Sequence, residues 1–172
     1  MIIRTLIISL LSLVISSCNS DQGKISKNSG PGKKEMSDLN RYFVQKDRER
    51  IESYIARKEL KMTESTVGIW YAISSEGTGN YFTDNDKVTM EYEVSLLDGS
   101  SCYSSEDMGP KEVIVGKSSI EAGLNLGLRM LKPGGKAIFI IPPFLAFGLT
   151  GDGKKIPARA VIVYNILNVQ KN

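Results

Sequence analysis

Apolar and polar positions alternate most clearly over two stretches, and both read as β-strands. In VTMEYEVSLLDGS (88–100), Val88, Met90, Tyr92 and Val94 share one face, and Asp98-Gly99 supplies the turn signal. Ala160–Val169 alternates in the same way, as a half-buried strand does, and Ala137–Ile141 is a short β-branched run. VGIWYAI (67–73) reads as another strand, with Trp70 and Tyr71 on opposite faces. Glu112–Val115 reads as a short one that ends at Gly116. Helical spacing occurs twice. Ile120, Leu124, Leu128 and Leu131 recur through IEAGLNLGLRML (120–131), which Lys132-Pro133-Gly134-Gly135 ends. Val44, Ile51 and Ile55, with Tyr54 beside them, mark one face of a helix over 37–62. Ser37 is its expected N-cap, and Lys46, Asp47, Arg48, Glu49 and Arg50 fill its exposed side.

This order predicts an α+β fold: a curved antiparallel sheet wrapped on one short helix, preceded by a charged amphipathic helix. Gly123 and Gly127 would each cost a helix interior about 1 kcal/mol against alanine. Their four-residue spacing offers a compensation, because small residues let the helix lie close against the sheet. The segment between the last two strands is long and broken by Pro142, Pro143, Gly148, Gly151, Gly153 and Pro157. It also carries Phe144, Leu145, Phe147 and Ile156, which are costly to leave in water. Long loops of this kind are usually functional, so the loop is expected to fold back and wall an apolar pocket.

The N-terminal region has a different character. Residues 1–17 combine Arg4, a compact apolar run and small residues, as a lipoprotein signal peptide does. Ile15-Ser16-Ser17-Cys18 has the form of a bacterial lipobox, which makes Cys18 the expected lipid attachment site. An ordinary secretory signal with a chance cysteine is the plainer alternative. Residues 18–36 are polar and read as a flexible tether. Residues 37–84 then hold the helix and leading strand, and 85–172 the main domain.

Composition narrows the chemistry. The 172 residues contain no histidine, which excludes Ser-His-Asp and Cys-His catalysis and disfavours zinc. A formal net charge of +3 is too small to argue for nucleic acid. Cys18 and Cys102 are the two cysteines, and lipid attachment at the first would leave no disulfide partner. Cys102 without a base reads as a small buried apolar residue.

From about Asn85 to Val169 the chain resembles the FKBP-type peptidyl-prolyl cis-trans isomerases. The resemblance rests on VTMEYEVSLLDGSSCYSS (88–105), VGKSSIEAGLNLGLRMLKPGGKAIFIIPPFLAFG (115–148) and KIPARAVIVYNILNV (155–169). With the lipobox, tether and charged helix, the layout is similar to that of gliding-motility-associated isomerase lipoproteins. The resemblance implies a proline pocket in which Tyr92, Tyr103, Phe147, Ile156 and Tyr164 serve catalysis, and Cys102, Ile120, Glu121 and Leu124 bind substrate. It also implies that the Ile156 backbone N–H holds the preceding peptide carbonyl. Four positions depart from the family pattern. Phe147 stands for a tyrosine, Cys102 and Tyr103 stand for phenylalanine and aspartate, and Leu124 stands for a tryptophan (often leucine in bacterial members).

The implied activity is X-Pro isomerisation of cell-envelope proteins, with no cofactor and no metal. The implied partners are proline-containing polypeptides, reached from a lipid anchor at the outer membrane that faces the periplasm, in the service of gliding motility. The alternative is a non-catalytic chaperone or binding module in an envelope complex.

Overall fold

The computed structural model describes residues 32–117 and 120–172. The signal peptide, Cys18 and the tether to residue 31 lie outside the described residues. The chain falls into two units, Met1–Met36 and Ser37–Asn172, and the second carries the fold. In chain order the elements are α1 (Lys33–Arg57), β1 (Thr63–Glu64), β2 (Trp70–Ser75), β3 (Lys87–Leu96), β4 (Ser101–Ser104) and α2 (Ser105–Met108). There follow β5 (Lys111–Ile114), α3 (Ala122–Leu128), β6 (Lys136–Ile141), a 3-10 turn (Pro143–Leu145) and β7 (Ile162–Lys171).

The strands of the described residues form one antiparallel sheet in the order β1-β2-β6-β7-β3-β4, with β5 also paired to β3. β3 therefore carries β7 along one edge, and on the other edge β5 beside its first half and β4 beside its second. Register shifts interrupt the ladders near the future site. Glu91 faces Asn168 but Tyr92 faces Ile166, so Leu167 is an extra residue on β7. Val94 faces Tyr103 but Ser95 faces Ser101, so Cys102 is an extra residue on β4. Bulges of this kind bend and twist a sheet, and here they help it curl around α3.

The alternation seen in the sequence has its physical counterpart in burial. Val88, Met90, Tyr92 and Val94 are all buried, and so are Ile162, Tyr164, Ile166 and Val169. They pack with Leu124, Leu128 and Leu131 in one core. The two helix glycines are explained by contact. A Cβ on Gly123 would lie 2.3 Å from Ile141 Cγ2, and one on Gly127 would lie 2.9 Å from the Phe139 ring. The helix rests directly on β6 because those side chains are missing.

A second core lies on the other face of the sheet. Ile51 of α1 packs with Ile140, Val161 and Val163, and Tyr54, Ile55 and Trp70 flank them. Trp70 thus belongs to this cluster while Tyr71 packs against the main one, as the alternation predicts.

Three expectations for α1 change. The helix starts at Lys33, so Ser37 is inside it and does not cap it. Val44 is 41% exposed, and Asp47, expected in solvent, is 4% exposed. The reason is a tertiary partner: Arg159, from the loop before β7, reaches Asp47 Oδ2 at 3.1 Å and stacks 3.7 Å above the Phe43 ring. Burial pushes the Asp47 carboxyl above its ordinary pKa, and Arg159 and Arg50 oppose that shift.

Candidate functional site

A cavity of about 680 Å³ opens at the end of the sheet where β3, β4 and β7 meet the long loop. That is a size suited to a small ligand or a short peptide segment. Tyr92 enters it from β3, Tyr103 from β4 and Tyr164 from β7. Ile120 and Glu121 enter from the chain just before α3. Ala146, Phe147, Asp152 and Lys154 come from the loop, and Met108 to Lys111 complete the rim.

Tyr92 is placed by the distortion of the sheet. Its N–H is taken by Ser105 Oγ at 3.0 Å, where α2 begins. The Tyr92 and Tyr164 rings lie 6.1 Å apart between centroids with planes tilted by 41°, so together they form one aromatic wall. Tyr164 Oη donates to Glu121 Oε1 at 3.0 Å. Burial pushes the Tyr164 phenol far above its ordinary pKa, and the Glu121 carboxylate adds to the shift. Burial, and then Glu121, also raises Tyr92. Both phenols are neutral at any physiological pH and present ring surface, and Tyr164 also donates to Glu121.

The loop is organised by Asp152. Its Oδ1 accepts the N–H groups of Lys154 and Ile156, each at 2.8 Å, and its Oδ2 accepts a short hydrogen bond from Tyr103 Oη. Burial acts to raise the Asp152 pKa, but these three donors outweigh it and hold the carboxyl below its ordinary value. The same bond to Asp152 pushes the Tyr103 phenol up. Gly151, at φ +71°, is required here, because a Cβ on it would sit 2.2 Å from the Ile156 carbonyl oxygen.

Of the nine side chains expected in the pocket, Tyr92, Tyr103, Ile120, Glu121, Phe147 and Tyr164 line it together. Cys102, Leu124 and Ile156 do not. They are 2%, 0% and 2% exposed and lie in the main core. Cys102 faces the Ser100 and Lys155 carbonyls from its bulge, and burial raises its thiol pKa. The Ile156 N–H was expected to hold a substrate carbonyl but is already given to Asp152. Of the apolar loop residues, Phe147 packs against the core and Phe144 is 52% exposed.

Asp152 and Lys111 were missed in the sequence. Asp152-Gly153 reads as a turn, and an aspartate that accepts the N–H two residues on is a regular turn device. That signal was present, but its second partner, Tyr103, is 49 residues away. Nothing in the sequence marks Lys111, which reaches the cavity only through the β3–β5 pairing.

With this geometry established, similarity to known proteins can be placed on it. The family model described as FKBP-type peptidyl-prolyl cis-trans isomerase matches residues 79–167. The chain belongs to the FKBP-type peptidyl-prolyl cis-trans isomerase family. It is 38% identical over 111 residues to the probable FKBP-type isomerase FkpA of Neisseria meningitidis, covering 64% of this chain and 40% of that protein. It is 32% identical over 109 residues to a probable FKBP-type isomerase of Haemophilus influenzae, covering 63% of this chain and 44% of that protein. The chain thus spans less than half the length of these relatives. The crystal structure of FkpA from Escherichia coli matches with a TM-score of 0.62 at 25% identity, covering 83% of this chain and 75% of that one. AtFKBP13 shares the fold, with a TM-score of 0.60 at 24% identity, over 65% of this chain and 99% of that one.

Proposed function

We propose that this protein is a peptidyl-prolyl cis-trans isomerase and that the tyrosine-lined cavity is its active site. The observation that carries the reading is the convergence of Tyr92, Tyr103, Phe147 and Tyr164 on one cavity in a chain of this family. The chemistry asks little more. The X-Pro amide resists rotation because its C–N bond has partial double-bond character, and no bond is broken on the way. The site has to favour the twisted amide over either planar form. Aromatic walls hold the proline ring and exclude the water whose hydrogen bonds to the carbonyl favour the planar resonance form. Thousandfold acceleration requires roughly 4 kcal/mol, a demand that shape and desolvation can meet. Ile120 adds aliphatic surface, while Cys102, Leu124 and Ile156 pack in the core outside the cavity lining.

Exchange NMR on an X-Pro peptide tests the reading with the full chain. Exchange clearly faster than in buffer is expected. Exchange no faster than in buffer, with the protein folded, would leave a binding module in its place. Phe147, which lacks a hydroxyl for a ligand carbonyl, is the feature that favours that second reading.

The proposal extends to the N-terminal region. The lipobox supports acylation at Cys18 after removal of residues 1–17, and the polar tether supports a domain held off the membrane on the periplasmic side, at the outer membrane. The substrates would then be envelope proteins that are unfolded or partly folded. The lipobox, tether and charged helix together support service to gliding motility. A host carrying Cys18→Ala should stop incorporating labelled palmitate into the protein and should glide poorly. Retained label would remove the anchor, and retained gliding would remove the motility role.

A further inference from the structure

We propose that Glu121 makes the pocket selective for a basic side chain next to the proline. The inference rests on the isomerase reading and names the substrate class for it. The Glu121 side chain keeps only 7% of its accessibility, yet it forms part of the cavity wall. Oε1 accepts the Tyr164 hydroxyl. Oε2 is buried, and no donor among the described residues reaches it. Lys111 Nζ stands 3.8 Å away, too far for a hydrogen bond.

A buried carboxylate oxygen without a donor is an unmet demand. An occupant with an aliphatic side chain beside its proline would leave Oε2 without a donor. A lysine or arginine at that place supplies a donor and a charge together, and charge-assisted hydrogen bonds are roughly twice as strong as neutral ones. Asp152 does not compete for that cation, because its oxygens are engaged by Tyr103, Lys154 and Ile156. Lys111 does compete. It lies on the same wall, its side chain is 32% exposed, and its position marks a path by which an ammonium approaches Oε2 from the rim. The substrate's cation displaces it outward.

The test is kcat/KM of the full chain for peptides carrying lysine, norleucine or glutamate immediately before or immediately after the proline. Lysine should exceed norleucine by about tenfold at one of the two positions, a factor within reach of one buried charge-assisted bond. Glu121→Gln and Glu121→Ile should each bring that ratio close to one, whatever they do to the absolute rate, and Lys111→Met should raise it. A ratio near one in the unaltered protein at both positions would overturn the proposal, and so would a ratio that survives both Glu121 variants. NMR titration with the same peptides gives the corresponding ratio of Kd values. If no peptide is isomerised, the isomerase reading falls, and the Kd ratio still decides the role of Glu121.

Discussion

Leu124→Ala should lower the stability of the protein by about 2–5 kcal/mol, the usual cost of emptying a fully buried leucine site. The shift is read as an earlier midpoint in urea with an unchanged slope. Leu124 is 0% exposed and packs in the main core, not in the cavity wall. The molecules that remain folded should therefore bind a proline peptide as tightly as the unaltered protein does. Weakened binding with stability intact would return Leu124 to the pocket floor, where family position alone would put it. Collapse at this site is restricted. α3 already rests on β6 at Gly123 and Gly127 and cannot move closer to fill the void.

Arg159→Met should cost about 3 kcal/mol, because it strands the Asp47 carboxylate in a buried site. Arg159 reaches that carboxylate at 3.1 Å, and Arg50 remains at 3.5 Å as a partial substitute, which keeps the loss at the low end. Adding Asp47→Leu to Arg159→Met should restore much of the loss, since a hydrophobic pair of similar volume replaces a buried ion pair at little cost. If the double variant is as unstable as Arg159→Met alone, stacking of Arg159 on Phe43 carries the effect instead. The pair has a bearing on the site. The Arg159 N–H donates to the Gly148 carbonyl, one residue past Phe147. α1 is thereby tied to the loop that forms the pocket wall.

Most of the fold was legible along the chain. Val88 to Val94 bury alternate residues because a strand has a period of two, and that period is written in the order of residues. Ile162, Tyr164 and Ile166 keep it on β7, where Val163 is buried in the second core and the extra residue Leu167 shifts the phase to Val169. Leu124, Leu128 and the two glycines likewise mark α3 and the face it presents. The short elements were not legible. β4 and α2, Ser101–Met108, carry no periodic pattern and exist because β3 offers an unpaired edge and Ser104 caps the turn by accepting the Asp107 N–H. The site divides in the same way. Six wall residues were legible by family position, five of them apolar or aromatic by side-chain type and the sixth, Glu121, acidic.

Burial of charge was decided only in three dimensions. A local pattern places Asp47 on a solvated helix face, and a cation from 112 residues away draws it inside. Asp152 looks like a turn residue, and a tyrosine 49 residues away makes it the organiser of the loop. Glu121 looks like a polar residue at a helix start, and Tyr164 from β7 holds it in the wall with one oxygen unmatched. Hydrophobic period is a local property, so the sequence by itself determined the longer strands and the short helix, and the resemblance of its motifs pointed to the family. Electrostatic pairing joins residues far apart in the chain, so only the tertiary structure decided which group takes the N–H of Ile156 and which acid is left with an unmatched oxygen in the pocket wall.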